Sequence, residues 1–449
     1  MTTAGNPAPF DKGSTRFDPL RPSGGGSNRT TLSGRRIYLA EILDTLWSRP
    51  GVRPTATVKH FMLPSAKTPT LVVPTRPRRA AAAMLRSYKP SAGPVMRTGL
   101  AVLALGARLG LTNALPRVEV PSEWPTTTDA ASDPADLDLL AYLSESLGLP
   151  LCAAVYTSPA RANRKPILHL VTPEGDEVGY AKVGTNELTR ELVRREADNL
   201  ERLAVLRSRR VLVPTVLYRG RWRDAEVLVQ RAVNPPRTGS IQTSDLHAAM
   251  YEVAGINGFE TELIPDGDYV TRLRRRVAAL PSGRPAGRLA AVLDSLLEDG
   301  TGQRLCIGAW HGDWTRWNMA AHGATLAVWD WERFEIGVPL GFDALHHRIQ
   351  GQLVTNAMTP LHAARQLVDE APTTLSDLLD GHSSSPIRHE GTSPGRRALA
   401  EMAHLTARLY LVEIGTRYLA DRQEEAGARL GDLTTWLLPA LESQQDSGL

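Results

Sequence analysis

Residues 305–332 read LCIGAWHGDWTRWNMAAHGATLAVWDWE: an apolar run, a polar loop, and a second apolar run that returns upon it. The pieces Arg304 to Trp310 and Leu326 to Trp331 are each of strand length. His322-Gly323 supplies a turn near the middle of the span from Asn318 to Asp330, so a hairpin here sets those two residues nearly opposite each other. Paired strands lie about 5 Å apart, close enough for two oxygen-bearing side chains to share one hard cation. Asp and Asn beside strands ordinarily make turns or caps, and His311-Gly312-Asp313 alone says no more than that. The combination says more. Asn318 stands five positions beyond Asp313, and Asp330 sits among Leu326, Val328, Trp329 and Trp331, where a carboxylate is costly unless paired or metal-bound.

Outward from this stretch toward the N-terminus, Leu151 to Tyr156, Ile167 to Val171 and Val178 to Val183 are also of strand length. Pro173-Glu174-Gly175-Asp176 turns between the last two, which predicts an antiparallel meander. A helix follows from Asn186 to about Leu206, then strands at Val211 to Tyr218 and Ala225 to Ala232. Past Thr243 the pattern is mainly helical. On the helix from Asn186, Leu188, Leu192, Leu200 and Leu203 fall near one face, and Glu196 lies on the same stripe while Glu191 points elsewhere. A carboxylate among core leucines calls for a buried cation. Lys182, at the end of the third strand, is the natural candidate. A lone lysine in a strand is usually just solvated, so it is the helix that raises its standing.

The chain has 449 residues, enough for two or three lobes, with 42% hydrophobic and 22% charged residues, as in ordinary soluble proteins. Its net charge of +4 is small, and the arginines are spread along the chain, so no nucleic-acid partner is expected. Only Cys152 and Cys306 are present, which supports neither a disulfide framework nor a thiolate zinc site and fits a reducing, cytoplasmic compartment. The first residues lack the basic start and apolar core of a secretory signal. The run from Gly99 to Leu111 carries Arg108 and is too short to span a bilayer, so it reads as a buried or interfacial helix. Residues 1–34, rich in Gly, Ser, Pro and Thr, read as a disordered tail. Residues 35–135 form an extension of unreadable role, with an extended run at Thr70 to Pro74, a helix from Arg79 to Tyr88, and a linker from Pro116 to Pro134. A sheet lobe over 136–232 and a helical lobe over 233–445 complete the α+β organisation.

HGDWTRWN and VWDWE resemble the catalytic loop and metal-binding motif of the aminoglycoside phosphotransferase and choline kinase superfamily, relatives of the protein kinases. The resemblance covers roughly residues 150–350 and implies a two-lobed protein-kinase-like fold with an N-terminal extension. It implies ATP and Mg²⁺ as cofactors and the hydroxyl of a small molecule, such as a sugar, an aminoglycoside or a choline-like metabolite, as phosphoryl acceptor. Asp313 would be the catalytic base or hydroxyl-orienting residue, Asn318 and Asp330 would hold Mg²⁺, and Lys182, paired with Glu196, would meet the α and β phosphates. Val229 to Ala232 would form the hinge that hydrogen-bonds the base. His311 and Asp343 would brace the loop, and Gly312 would be a flexible joint within it.

The segment Thr157 to Pro166, TSPARANRKP, lacks the glycine-rich pattern of protein kinases, so phosphate contacts there would fall to backbone amides and Ser158. Trp314-Thr315-Arg316-Trp317 is an unusual filling for the loop, with Arg316 a candidate for γ-phosphate contact. Glu332 either touches a metal or caps a turn. His346 and His347, being adjacent on a helix, make a poor joint metal site. Arg272, Arg274, Arg275 and Arg276 surround the apolar stripe Val270, Leu273, Val277 and Leu280 and read as a solvated helix face. The chain enters helix soon after Asp330 without a long activation segment, which disfavours a protein kinase. A kinase-shaped binding or scaffold protein that has lost turnover is the alternative from another class.

Overall fold

In the computed structural model the described residues are 34–49, 53–88, 94–123, 136–206, 208–233, 241–323, 325–380, 396–426 and 430–442. The tail expected over 1–34 lies outside them except for Gly34, which opens the first helix. The smaller lobe is built from α1 (Gly34–Trp47), β1 (Ala56–Leu63), β2 (Leu71–Pro74), α2 (Arg78–Ser87), α3 (Pro94–Leu109), β3 (Arg117–Glu123), α4 (Leu139–Leu147), β4 (Cys152–Tyr156), β5 (Ile167–Val171), β6 (Glu177–Gly184) and α5 (Glu187–Leu206). After the two-residue β7 (Val211–Leu212), β8 (Val216–Trp222) and β9 (Ala225–Arg231) complete it. Eight strands form one antiparallel sheet in the order β3-β1-β2-β4-β5-β6-β9-β8.

The sheet reaches further toward the N-terminus than the sequence suggests. β2 pairs with β4, so the strands of residues 56–123 continue the sheet of the meander and share its core. Leu39, Leu43 and Val72 pack in the same apolar cluster as Leu168, Val183 and Val229. The linker expected over 116–134 begins instead as β3, whose Val118 and Val120 are buried while Glu119 faces out. That alternation is a strand signal that the surrounding prolines masked. Residues 124–135 lie outside the described part. The run from Gly99 sits in α3, which buries Leu100, Ala104 and Ala107 against α2 and leaves Val102, Leu105 and Leu109 exposed, an interfacial helix.

The larger lobe contains α6 (Thr243–Ala254), β10 (Glu260–Leu263), α7 (Asp268–Ala278), α8 (Arg284–Asp299), β11 (Arg304–Trp310), β12 (Met319–His322), β13 (Thr325–Val328), β14 (Glu335–Pro339), α9 (Phe342–Gln350), α10 (Pro360–Asp369), α11 (Ala371–Leu379), α12 (Arg396–Ala420) and α13 (Leu437–Glu442). Its core joins Leu273 and Leu289 to Leu345, Leu367 and Tyr410. A smaller lobe built on an antiparallel sheet beside a larger, mainly helical lobe is the two-lobed α+β organisation that the sequence implies.

Two strand boundaries move. The strand expected from Val211 to Tyr218 is broken at Pro214, which has no N–H for a ladder: β7 pairs in parallel with β13, and β8 joins the large sheet. The strand expected from Leu326 to Trp331 stops at Val328, because Asp330 adopts a left-handed backbone (φ 75°) and starts a single 3₁₀ turn, Trp331–Arg333. The hairpin itself forms as read, with Met319 opposite Val328 and Gly323 left-handed in the turn. It brings Asn318 and Asp330 to one end of the strands, where the Trp329 amide donates to the Asn318 carbonyl at 3.0 Å.

Candidate active site between the lobes

Lys182 lies near the end of β6, on the central part of the large sheet, and is 4% exposed. Its Nζ donates to both carboxylate oxygens of Glu196, at 2.6 and 2.7 Å, and to Oδ1 of Asp330 at 2.6 Å. One ammonium therefore ties strand β6, helix α5 and the turn after β13. Helix α5 holds Glu196 in place because its start is fixed by a reciprocal cap: the Thr189 amide donates to Asn186 Oδ1 at 2.9 Å, and the Asn186 amide donates to Thr189 Oγ1 at 3.0 Å. The same face buries Leu192, Leu200 and Leu203. Burial opposes the charge on Lys182, but Asp330, Glu196 and Glu332 outweigh it and hold the ammonium above its ordinary pKa. Burial likewise opposes ionisation of Asp330, yet Lys182 and Lys165 keep its carboxyl well below the usual range. For Glu196 burial wins and the carboxyl is pushed up, with Asp330 and Glu332 opposing the pull of Lys182.

The loop after β11 is held from below. The amides of His311 and Gly312 donate to the buried Asp343 carboxylate at 2.7 and 3.1 Å, so Asp343 sits where an anchor of this loop must sit. His311 is fully buried, its ring edge-on to Trp331 and Trp314. It accepts from the Asp313 amide through Nδ1 at 3.1 Å and meets the Trp329 carbonyl through Nε2 at 3.1 Å. Burial drops its pKa to about 4, so at neutral pH it is an uncharged brace. Gly312 stands where a side chain would not fit: its φ is +82°, and the Arg333 carbonyl occupies the space a Cβ would need. Arg417 from α12 donates to the Gly312 carbonyl at 2.7 Å.

The Asp313 side chain is one-third exposed and accepts on both oxygens. Asn318 Nδ2 donates to Oδ2 at 3.0 Å and to the Asp313 carbonyl at 2.9 Å. His346 Nε2 meets Oδ1 at 3.0 Å, and the His346 Nδ1 meets the Tyr410 hydroxyl at 2.9 Å. The ionised Asp313 carboxylate can only accept, which places the imidazole proton on Nε2 and leaves Nδ1 to accept from the Tyr410 hydroxyl, kept protonated by burial. Although desolvation works against it, the His346 hydrogen bond keeps the Asp313 carboxyl below its ordinary pKa.

The segment Thr157 to Pro166 crosses between the lobes. Lys165 forms a buried ion pair with Glu332, whose other oxygen accepts from Asn163 Nδ2 at 3.4 Å, and the Ala162 amide donates to Gln423 Oε1 at 3.1 Å. Glu332 is thus a partner of this loop rather than a turn cap. Glu196, Asp330 and Glu332 each offer a carboxylate oxygen within 4.8 Å of the others. Both Glu196 oxygens are given to Lys182 and both Glu332 oxygens to Lys165 and Asn163, so the oxygens best suited to a hard cation are Oδ2 of Asp330 and the amide oxygen of Asn318, whose Nδ2 is spent on Asp313. This donor set fits Mg²⁺ chemically. Val229 is flanked by Ala181 on one side and Tyr218 on the other, so it packs inside the sheet, and only Ala232 lies past the strand end. Arg316 and Trp317 are exposed and point to a cavity beside the loop.

Lys165, His346, Tyr410 and Arg417 were not singled out as site residues by sequence reasoning. Lys165 had a signal, being the one lysine in a loop expected to meet phosphates. His346 was weighed only as half of a histidine pair, and its separate contact needs the α9 orientation. Tyr410 and Arg417 lie about a hundred residues from the loop and carry no local signature. The arginines of α7 are divided among partners: Arg276 with Glu413, Arg272 with the Gly337 carbonyl, Arg274 near Asp294 at 3.9 Å.

No family model matches the sequence, and no curated protein matches it significantly. Solved structures are similar to it at a low level. A protein assigned as a fructosamine-3-kinase from Haemophilus somnus is 14% identical over 68% of this chain and 96% of its own, with a TM-score of 0.38. An aminoglycoside phosphotransferase in ternary complex with ADP and hygromycin B is 13% identical over 69% and 98%, at 0.40. One from Streptomyces rimosus, in complex with ADP and streptomycin, is 15% identical over 54% and 89%, at 0.32. Similarity at this level assigns no chemistry, which rests on the groups around Lys182 and Asp313.

Proposed function

We propose that this protein is an ATP-dependent phosphotransferase acting on a hydroxyl group of a small molecule. The observation that carries the reading is the convergence of an ammonium held by two carboxylates, Lys182 with Glu196 and Asp330, and a doubly braced carboxylate, Asp313, at the ends of one hairpin. Nucleoside triphosphate chemistry needs a fixed cation for the α and β phosphates, oxygen ligands for Mg²⁺, and an ionised carboxylate at the attacking hydroxyl. Lys182 would serve the first need. Asn318 and Asp330, with Glu332 beside them, would hold Mg²⁺, which when bound neutralises phosphate charge. Asp313 would orient the acceptor hydroxyl and take its proton, its low pKa keeping it ionised at neutral pH. Ala232 would offer its backbone to the base. The free thiols of Cys152 and Cys306 and the use of ATP suit the cytoplasm; among the described residues no helix is long and apolar enough to cross a membrane.

The test is a screen of hydroxylated metabolites for ATP-dependent gain of phosphate mass. Asp313→Asn is expected to abolish the gain while nucleotide binding persists, and a variant with unchanged turnover removes the assignment. A second reading, a kinase-shaped binding protein, is favoured by one feature: Lys165 and Glu332 close the cleft with an ion pair where phosphate contacts are expected. Thermal stabilisation by ATP and Mg²⁺ without slow ATP hydrolysis would select it.

A further inference from the structure

Beside the Asp313 loop lies a cavity of about 900 Å³. One wall is the loop itself, through Arg316 and Trp317; another is the face of α9 that carries Ala344 and His347. His347 Nδ1 meets the Trp314 carbonyl at 3.3 Å, so this wall is fastened to the residue that follows Asp313. The cavity therefore adjoins the loop that carries Asp313.

Its lining mixes apolar side chains with uncharged polar ones, among them Thr243, Gln352, Thr355, Asn356 and Gln366. Gln352 is 5% exposed, and its Oε1 has no hydrogen-bond partner among the described residues. Gln366 gives its Nε2 to Glu370 at 2.9 Å, and its Oε1 is likewise buried without a partner. Buried amide oxygens lacking donors are rare, because each forfeits its hydration for nothing. Both side chains line the cavity, so a rotation about χ would offer each oxygen to an O–H or N–H group of a ligand. Trp317, 47% exposed, offers a broad apolar face to the same space, the surface on which the C–H face of a ring packs.

The charges exclude the strongly cationic members of the acceptor range. Among the described residues Asp377 is the only carboxylate of the lining, Arg348 is tied to Glu370, and Arg316 adds a positive charge. A polycationic amino sugar would find one anion and two arginines. A quaternary ammonium would find a single tryptophan where recognition by cation–π contact uses an aromatic cage. We infer that this cavity takes an uncharged polyhydroxylated ring, a sugar or glycoside, whose hydroxyls donate to Gln352 and Gln366 while one ring face packs on Trp317. Its final step rests on the phosphotransferase reading: a ring hydroxyl oxygen bonds to the γ-phosphorus, the bond from that phosphorus to the β–γ bridging oxygen breaks, ADP leaves, and the hydroxyl proton passes to Asp313.

Saturation-transfer NMR on the full chain reads binding without turnover. The probes are glucose, maltose, trehalose and adenosine against neomycin and choline, with wild type, Trp317→Ala and Gln352→Leu. At least one uncharged ring compound is expected to bind, and to bind at least ten-fold more weakly to both variants, whose melting temperatures report their folding. Trp317 is half-exposed, so that variant tests the inference even if Gln352→Leu unfolds. Binding by neomycin or choline alone, no binding by any uncharged probe, or sugar binding that Trp317→Ala leaves unchanged overturns it. Sugar binding lost in the variants but with no phosphate gain under ATP and Mg²⁺ overturns the phosphotransferase reading and leaves the cavity assignment in place.

Discussion

At the scale of single residues, the arrangement around Asp313 makes the state of one imidazole decisive. The Asp313 carboxylate and the Tyr410 hydroxyl together fix the His346 tautomer, and the His346 Nε2–H holds the Asp313 carboxyl low. His346→Ala removes a hydrogen bond that only the ionised carboxylate needs, so the Asp313 pKa must rise. The acid limb of kcat/KM is expected to move to higher pH, with kcat lower by about ten-fold, a usual cost for losing a supporting partner, and the KM for ATP nearly unchanged. A merely structural His346 would lower stability and leave the limb where it was. Asp343 gives a second pH prediction, in stability. Burial pushes its carboxyl up to about 7, against an ordinary value of 3.8. Between those values the folded chain keeps a proton that the unfolded chain has lost. This contribution is therefore fully present below about pH 4 and disappears as pH rises through about 7, at no more than about 1.4 kcal/mol per pH unit. Asp343→Asn lacks the titration. The stability of wild type relative to the variant should fall across that window in denaturant melts, and parallel curves would refute the shift.

At the scale of elements, the Lys182 ammonium joins β6, α5 and the turn after β13, and the two ways of breaking it differ in cost. Glu196→Ala leaves Lys182 its bond to Asp330, so the ammonium stays paired. Lys182→Ala leaves two carboxylates facing one another without their cation, the case in which removing one partner costs about 3–5 kcal/mol. The lysine variant should accordingly lose more stability in urea melts than the glutamate variant, and the reverse order would show that the helix contact is the essential one. This pair was legible in the sequence because α5 prints its buried face as leucines at helical spacing, and Glu196 falls among them. The hairpin was legible for the same kind of reason, a turn dipeptide between two short apolar runs. Element ends were not. Asp330 leaves the strand because of a left-handed backbone that carries no composition signal, and β10 and β14 are visible only once β11 is there to pair with them. His346 on α9 was weighed only for metal ligation with His347 and set aside, because its partner, Asp313, comes from another element.

At the scale of the whole molecule, the segment before residue 136 is structural in a way its sequence hides. β1 has eight residues and β3 seven, but prolines stand beside or within them and hide their alternation, and the place of the whole set in the sheet is fixed by β2 pairing with β4, about eighty residues later. Once paired, they close an exposed edge: β2 covers β4, β1 covers β2, and β3 covers β1. Helices α1 and α4 add Leu39, Ile42, Leu43, Leu139 and Leu143 to the cluster that backs β5 and β6, the strand carrying Lys182. A chain beginning at residue 136 would expose the β4 edge and strip one side of that cluster. Fully buried leucines contribute about 1.5–3 kcal/mol each, so the loss of the α1 residues alone rivals the whole stability of an ordinary domain. Such a truncation should aggregate on size-exclusion chromatography or melt without a cooperative transition, and ATP should not stabilise it. A monomeric truncated chain with the melting temperature and nucleotide affinity of the full one would show that the eight-stranded sheet divides at β4, and that the extension rests against a lobe able to fold without it.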